Sequence, residues 1–175
     1  MLNNIDLQKE VIKAVKPIID SWTDDDIYAI SFFVYDDCDN PRKPTFTLGF
    51  NTESVYEAEV SSGFSSKEEA RWNYAFWQQN CELVFGLGET EEIVDKWVLG
   101  VDDGGCDAIT KEFVGVLVKT VKQLHESGFI RSKFGKEIPV IIHELEYYDQ
   151  IAIQNIEANT LTLVQGLAGF CGYRP

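Results

Sequence analysis

Apolar residues recur along the chain at two different spacings, and each spacing predicts a different kind of element. Helical spacing of three and four residues predicts a helix over residues 6–21, with a kink at Pro17 because proline removes one internal hydrogen bond. The same spacing predicts a second helix over residues 107–127, with Asp107 as N-cap and Gly128 as its stop. These two segments carry the strongest helical patterns in the sequence.

Runs rich in β-branched and aromatic residues predict strands. "IYAISFFVYDD" at residues 27–37 and "TFTLGFNTE" at residues 45–53 are separated by "DDCDNPRKP", whose prolines and Asp/Asn residues favour a loop. The simplest arrangement is a hairpin. "EIPVIIHEL" at residues 137–145 predicts a second central strand, followed by a shorter helix in "YYDQIAIQNIEAN" and a tail that packs early and frays late.

The segment "SSKEEARWNYAFWQQNCELVFG" concentrates large aromatic residues. Ser65 and Glu68 stand at capping-box spacing, which predicts a helix start. If the helix continues through the segment, its apolar surface is wider than a core stripe requires, so that one aromatic edge is buried and another is exposed. The predicted stripe consists of Ala70, Tyr74, Trp77 and Cys81, with Trp72 and Phe76 beside it.

The order of these elements predicts the fold class. An early strand pair, a long helix and a later strand do not alternate regularly, which favours an α+β fold over an α/β fold. We expect a mixed, mainly antiparallel sheet with helices packed on one face. The length of 175 residues fits one domain spanning residues 1–175.

The charge balance narrows the classes of partner. The chain has 29 acidic residues against 15 Lys and Arg, for a formal net charge of -14. Such a charge repels nucleic-acid phosphates and attracts a basic protein. We therefore expect no nucleic-acid partner and a basic protein such as a toxin as the binding partner.

Cysteine spacing and the amino-terminal sequence bear on location. Cys38, Cys81, Cys106 and Cys171 are widely separated, so the spacing of a zinc ribbon or a thioredoxin motif is missing. "MLNNIDLQKEVIKAV" lacks the basic and apolar regions of an export signal, and no apolar run reaches the roughly 18 residues of a membrane span. The expectation is a cytoplasmic protein without a membrane partner.

Two enzymatic alternatives can be drawn from the residues. Cys106, His143 and Asp149 could form a nucleophilic set, although no local signature supports it. Acidic loops could bind a hard cation, but the spacing "DDGGCD" does not match a calcium loop, and turn formation and helix capping explain these residues. We expect no cofactor and no metal, and a small hydrolase or metal-dependent enzyme stays as the alternative.

Recognition of another protein is the leading hypothesis. Two acidic loops could form a rim that steers a basic partner, because loops carry recognition more often than core elements do. An exposed tryptophan of the aromatic segment would serve as an anchor. The residues proposed for partner binding are Asp36, Asp37, Asp39, Asp102, Asp103, Trp72 and Trp77.

Short sequence words in the same order resemble a bacterial family of single-domain proteins of unknown function. In that family a first strand with "YA" and a closing "DD" precedes a second strand ending in "NTE", and an R-W-x-Y-x-x-W segment follows. Here the last segment is Arg71, Trp72, Tyr74 and Trp77. The resemblance implies a role like that of immunity proteins, which are encoded beside bacterial polymorphic toxins and block them by binding.

Overall fold

Strands and helices alternate irregularly along the chain. A computed structural model describes residues 2–101, 104 and 108–174, and every element named below lies within them. The strands are β1 (Ile27–Asp36), β2 (Pro44–Thr52), β3 (Leu83–Phe85) and β4 (Val140–His143). The helices are α1 (Asn4–Ser21), α2 (Glu53–Ser62), α3 (Lys67–Trp72), α4 (Glu91–Val98), α5 (Ala108–Glu126), α6 (Phe129–Phe134), α7 (Asp149–Ala158) and α8 (Leu161–Phe170).

The four strands form one mixed sheet in the order β3-β2-β1-β4. The predicted hairpin is confirmed: β1 and β2 pair antiparallel from Ile30 opposite Phe50 to Asp36 opposite Pro44. β3 adds antiparallel to β2, and β4 adds parallel to β1. The predicted α+β class and its mainly antiparallel, mixed sheet are confirmed.

Helices lie against both faces of this sheet. Ile30, Phe32 and Ile142 belong to a core shared with α1, α4 and α5. Ala29 and Ile141 belong to a second core that includes residues of α7 and α8. Neighbouring strand residues point to opposite faces, so β1 and β4 contribute residues to both cores. The sheet is therefore covered on two sides, where the sequence led us to expect helices on one.

The two helices with the clearest apolar pattern form where they are predicted. In α1, Leu7, Val11, Val15 and Ile19 are all fully buried, and the helix continues through Pro17 to Ser21. The side chain of Asn3 caps its start, since it accepts hydrogen bonds from the backbone of Ile5 and Asp6. In α5 the buried face runs from Ile109 to Leu124, and Asp107, its predicted cap, lies outside the described residues.

Strand β4 is an edge strand, although its continuous apolar run predicts a central one. Its outer side is covered by Asn155 of α7 and by Asn159, the residue that directly follows α7, and both hydrogen-bond to it as a neighbouring strand would. Asn155 accepts from the Ile142 N–H at 2.9 Å and donates to the Ile142 carbonyl at 2.7 Å. Asn159 accepts from the Val140 N–H at 2.8 Å and donates to the Val140 carbonyl at 3.0 Å. The helical spacing of four thus matches the strand spacing of two.

The aromatic segment does not form the predicted long helix. The capping box is Ser66 with Glu69, one residue later than predicted, and α3 ends at Trp72. A 3-10 turn at Tyr74–Phe76 follows, because the Asn73 side chain accepts from the Ala75 N–H and so favours a turn over a continued helix. The predicted stripe from Ala70 to Cys81 is therefore wrong.

Three further regions differ from the expectation. The tail forms α8 instead of fraying, since Val164, Leu167 and Ala168 are buried in the second core. Residues 83–101, for which no element is predicted, contain β3 and α4, and α2 directly follows β2. Among the described residues, no helix is both long enough and apolar enough to cross a membrane.

Replacement of Asn155 tests whether α7 seals the sheet. In Asn155→Ala the buried N–H of Ile142 loses its acceptor, and we expect the free energy of unfolding to fall by about 1–3 kcal/mol. Urea unfolding followed by circular dichroism measures this change. Gln165→Ala, an exposed position on α8, is the control. Equal stability of the two variants would show that the asparagine contact does not hold the edge.

Candidate functional site

The short sequence motifs behind the family resemblance lie next to each other in the structure, and their side chains contact one another. Arg71 pairs through both terminal guanidinium nitrogens with the carboxylate of Glu53. Its guanidinium carbon also lies 3.7 Å from the Tyr28 ring centroid and 5.0 Å from that of Tyr56. Arginine is suited to such a place because its planar group can stack on rings and pair with a carboxylate simultaneously.

Asn51 extends this linkage into the interior. Its side-chain amide, fully buried, donates to the Tyr28 hydroxyl at 2.9 Å, and Tyr28 donates to the backbone carbonyl of Arg71 at 2.9 Å. Thr52 caps α2 by accepting from the Val55 N–H. These residues of the resemblance thus join β1, β2, α2 and α3 to each other.

The two tryptophans proposed as anchors are placed differently from each other. Trp77 is 5% exposed, with its ring centroid 5.8 Å from that of Tyr28, so it packs in the second core and cannot serve as an exposed anchor in this conformation. Trp72 is half-buried against α8. A side chain at Gly166 would come within 2.6–2.8 Å of the Trp72 ring, which explains a glycine at this contact.

His143 is buried among aromatic rings at the end of β4. Its Nε2 lies 2.8 Å from the Ser31 hydroxyl and its Nδ1 lies 3.1 Å from the backbone carbonyl of Glu144. Burial lowers the pKa of His143 to about 4 from 6.5, so the ring is neutral and both nitrogens have partners. Ser31 is only 1% exposed, so a substrate has no access to the pair.

The other residues of the enzymatic alternatives do not join His143 in a described site. Cys106 lies outside the described residues, and Asp149 is exposed at the start of α7. Among the described residues, no group of three or more His, Cys, Asp or Glu side chains is placed to hold a metal ion.

Only part of the proposed acidic rim lies within the residues that the structure describes. Asp36 ends β1 and accepts from the Thr110 hydroxyl of α5 at 2.9 and 3.1 Å. Asp39 is exposed at the hairpin tip, where it adopts a positive φ of 55°. Asp37 begins the 3-10 turn there and is partly exposed. Asp102 and Asp103 lie outside the described residues, so the meeting of the two loops stays a prediction.

A groove with a volume of about 820 Å³ lies beyond the carboxyl ends of the parallel strands β1 and β4. Ligands bind at this position in many sheets with parallel strands, and the volume falls within the usual range for ligand sites. Its floor includes Phe33, Val34 and Tyr35 of β1. One wall is α5, from Thr110 to Lys119; the other is the 144–148 segment together with α7. We refer to it as the α5–α7 groove.

Apolar side chains are exposed at the α5–α7 groove. Leu145 is 79% exposed and Tyr148 is 41% exposed, and both line it. From the opposite wall, the partly exposed Val114 and the largely buried Val118 of α5 line it, with Gly115 between them. A side chain at Gly115 would meet no atom within 4 Å, so the helix surface is open at this point.

Charges of opposite sign line the two walls. Lys111 and Lys119 come from α5, whereas Glu146 and Glu157 come from the 144–148 segment and α7. All four residues are exposed, and none forms an ion pair with another residue of the described chain. Two further carboxylates, Asp36 and Glu144, also line the groove, so its acidic groups outnumber its lysines.

Sequence reasoning missed most of this groove. Among the proposed partner-binding residues that the structure describes, only Asp36 belongs to the groove lining. The available signals were weak: Leu145 stands between two glutamates, and Gly115 interrupts a strong helical pattern. Neither reveals which element will lie opposite.

No family model, curated protein or solved structure matches this chain.

The buried state of His143 predicts a pH dependence of stability. Its pKa is about 4 in the folded protein and near 6.5 in the unfolded chain, so the unfolded chain binds the extra proton between these values. The free energy of unfolding should fall as the pH drops through this window, by a total on the order of 3 kcal/mol. Urea unfolding at pH 7.5 and 4.5 measures the loss, which should be smaller in His143→Gln.

The matched control is Asn155→Ala, which weakens the same region without removing the titrating group. It should retain the full pH dependence of the wild type. An unchanged loss in His143→Gln would show that His143 does not titrate as the structure implies.

Proposed function

We propose that the protein is a non-enzymatic, acidic binding protein of the immunity type, which blocks a basic bacterial toxin in the cytoplasm. The observation that carries the proposal is the α5–α7 groove, where exposed apolar side chains and unpaired charges lie together. Exposed apolar groups rimmed by polar ones are typical of interaction sites. The groove would take a protruding segment of the toxin.

The overall charge supports a basic partner. A net charge of -14 accelerates encounter with a positively charged surface, and the acceleration weakens as salt rises. Within the groove, Asp36, Glu144, Glu146 and Glu157 continue this charge to the place where a partner would dock.

The alternative of a hydrolase or metal-dependent enzyme has less support. The residues the structure describes contain a serine–histidine hydrogen bond, but it is buried, and no cluster suited to a metal. An immunity-type role requires only a surface that binds and blocks.

Co-expression tests the proposed role. The toxin domain encoded beside the gene for this chain is expressed in bacteria with and without the chain, and cell survival is counted. We expect the chain to restore growth and to bind the purified domain. The absence of a toxin gene beside it, or cell death regardless of the chain, would overturn the immunity role.

A substitution within the groove tests where the toxin binds. Gly115→Leu places a side chain into open space at the groove and raises helix propensity by up to about 1 kcal/mol, so the protein should keep its stability. The added bulk should lower affinity for the toxin at least about tenfold, as expected when a contact worth 1.4 kcal/mol is lost. Calorimetric titration measures affinity, and thermal melting measures stability.

Gly169→Leu is the matched control. Gly169 lies in α8, a side chain there also meets no atom within 4 Å, and the position does not line the α5–α7 groove. It should bind the toxin as the wild type does. Equal affinities for Gly115→Leu and Gly169→Leu would place the toxin outside the groove.

Charge reversal at the hairpin tip tests steering by the acidic rim. Asp37→Lys with Asp39→Lys should lower the association rate at low salt and flatten its salt dependence, with little effect on the dissociation rate. Stopped-flow kinetics between 20 and 300 mM salt would measure both rates. Glu68→Lys with Glu89→Lys makes the same net change at exposed positions away from the tip. Identical kinetics for the two double variants would show that net charge alone, and not the position of the acidic residues at the tip, determines the association rate.

A further inference from the structure

We infer that the occupant of the α5–α7 groove is a short amphipathic helix of the partner, with an apolar ridge flanked by acidic residues on one side and basic residues on the other. This inference rests on the proposed binding function and specifies the chemistry of the segment bound. It differs from the expectation that net charge alone creates, which is a segment with basic residues on both sides.

The shape of the groove fits a helix. Two of its boundaries are the helices α5 and α7, and the α5 wall runs from Thr110 to Lys119, about 14 Å at 1.5 Å per residue. This length matches about two and a half turns of a parallel neighbour. Helices pack into grooves between other helices through side-chain ridges, and groove-bound helices use apolar anchors three and four residues apart.

The α5 wall allows close approach of a partner backbone. Val114 is partly exposed and Val118, one turn further on, is almost fully buried beneath the groove, so the wall is low and apolar here. Gly115 beside Val114 has no side chain and open space above it. Across the groove, the highly exposed Leu145 and the ring of Tyr148 supply a second apolar surface. An apolar ridge on the occupant would be buried between these two surfaces.

The charges of the two walls indicate which charges the occupant has on its two flanks. Lys111 and Lys119 on α5 attract acidic groups, and Glu146 and Glu157 on the facing wall attract basic groups. Because none of the four is paired within the described chain, each is available to a ligand. Matching of both walls adds specificity, since a wrong charge at either wall is repelled.

A second copy of this chain suits the groove less well. Two chains that each carry a net charge of -14 repel each other at a distance. A segment with acidic residues on both sides would face Glu146 and Glu157, and one with basic residues on both sides would face Lys111 and Lys119. Only a mixed pair of flanks complements both walls.

Three synthetic 14-residue helical peptides test the inference on the intact protein. All have the same leucine ridge; the mixed peptide has glutamates on one flank and lysines on the other, the basic peptide has lysines on both, and the acidic peptide has glutamates on both. Binding is followed through backbone amide shifts in NMR spectra, at 150 mM salt. We expect the mixed peptide to bind about fivefold more tightly than the basic one, with shifts at Val114, Gly115 and Leu145.

Charge-reversal variants should exchange these preferences. Lys111→Glu with Lys119→Glu removes the lysines of α5 and should favour the basic peptide. Glu146→Lys with Glu157→Lys places two lysines beside Glu144 on the facing wall and should shift the preference towards the acidic peptide. Lys67→Glu with Lys136→Glu adds the same charge as the first pair at exposed positions that do not line the groove. This control should still prefer the mixed peptide.

Three outcomes would overturn the inference: tightest binding of the basic peptide to the wild-type chain, shifts outside the groove, or no binding of any peptide. These results are separable from those on the proposed function. Protection from the toxin together with preference for the basic peptide would reject the inference of a mixed-charge helix and leave the immunity role standing. Preference for the mixed peptide without protection from any toxin would reject the immunity role and keep the specificity of the groove.

Discussion

The contact that Asn155 of α7 and Asn159, the residue capping α7, make with the outer edge of β4 is the interaction on which the rest of the structure depends. An unpaired strand edge exposes backbone groups that must find partners. Asn155 in α7 and Asn159 at its C-cap supply these partners, and so fix the position of α7 along the edge of β4. Since α7 is also one wall of the α5–α7 groove, the same contact sets the position of this wall.

The 144–148 segment, which completes this wall, begins directly after a residue whose side chain is held by two hydrogen-bond partners. β4 ends at His143, whose ring is held by Ser31 and by the carbonyl of Glu144. A few residues later the Tyr147 hydroxyl accepts from the Tyr74 N–H at 3.0 Å, which links the segment to the aromatic region. Leu145 lies between these two contact points and is exposed. The buried aromatic residues thus hold this segment in place, and under the proposed function the exposed residues between them would contact the partner.

The distribution of charge over the two walls would determine the specificity of the groove, which net charge alone would not. A net charge of -14 acts over a distance and affects the encounter rate, whereas lysines on one wall and glutamates on the other act only at contact. A binding protein needs both properties when it must find one partner quickly and reject others. In the proposed complex the exposed apolar residues would be removed from water on binding, and the charges would decide which partner helix fits.

The sequence alone determined the α+β class, the hairpin and the helices α1, α5 and α7, because apolar periodicity within one element depends on that element's own residues. It could not show that β4 lies at an edge, since a strand covered by asparagine side chains is as apolar as a central one. It also proposed Trp77 as a partner-binding residue, although Trp77 is buried, and it did not show that Arg71 and Asn51 link neighbouring elements through Tyr28. Only the tertiary structure decided which walls meet. Val114, Lys119 and Leu145 become one site through packing between residues distant in the chain, and no local pattern encodes that proximity.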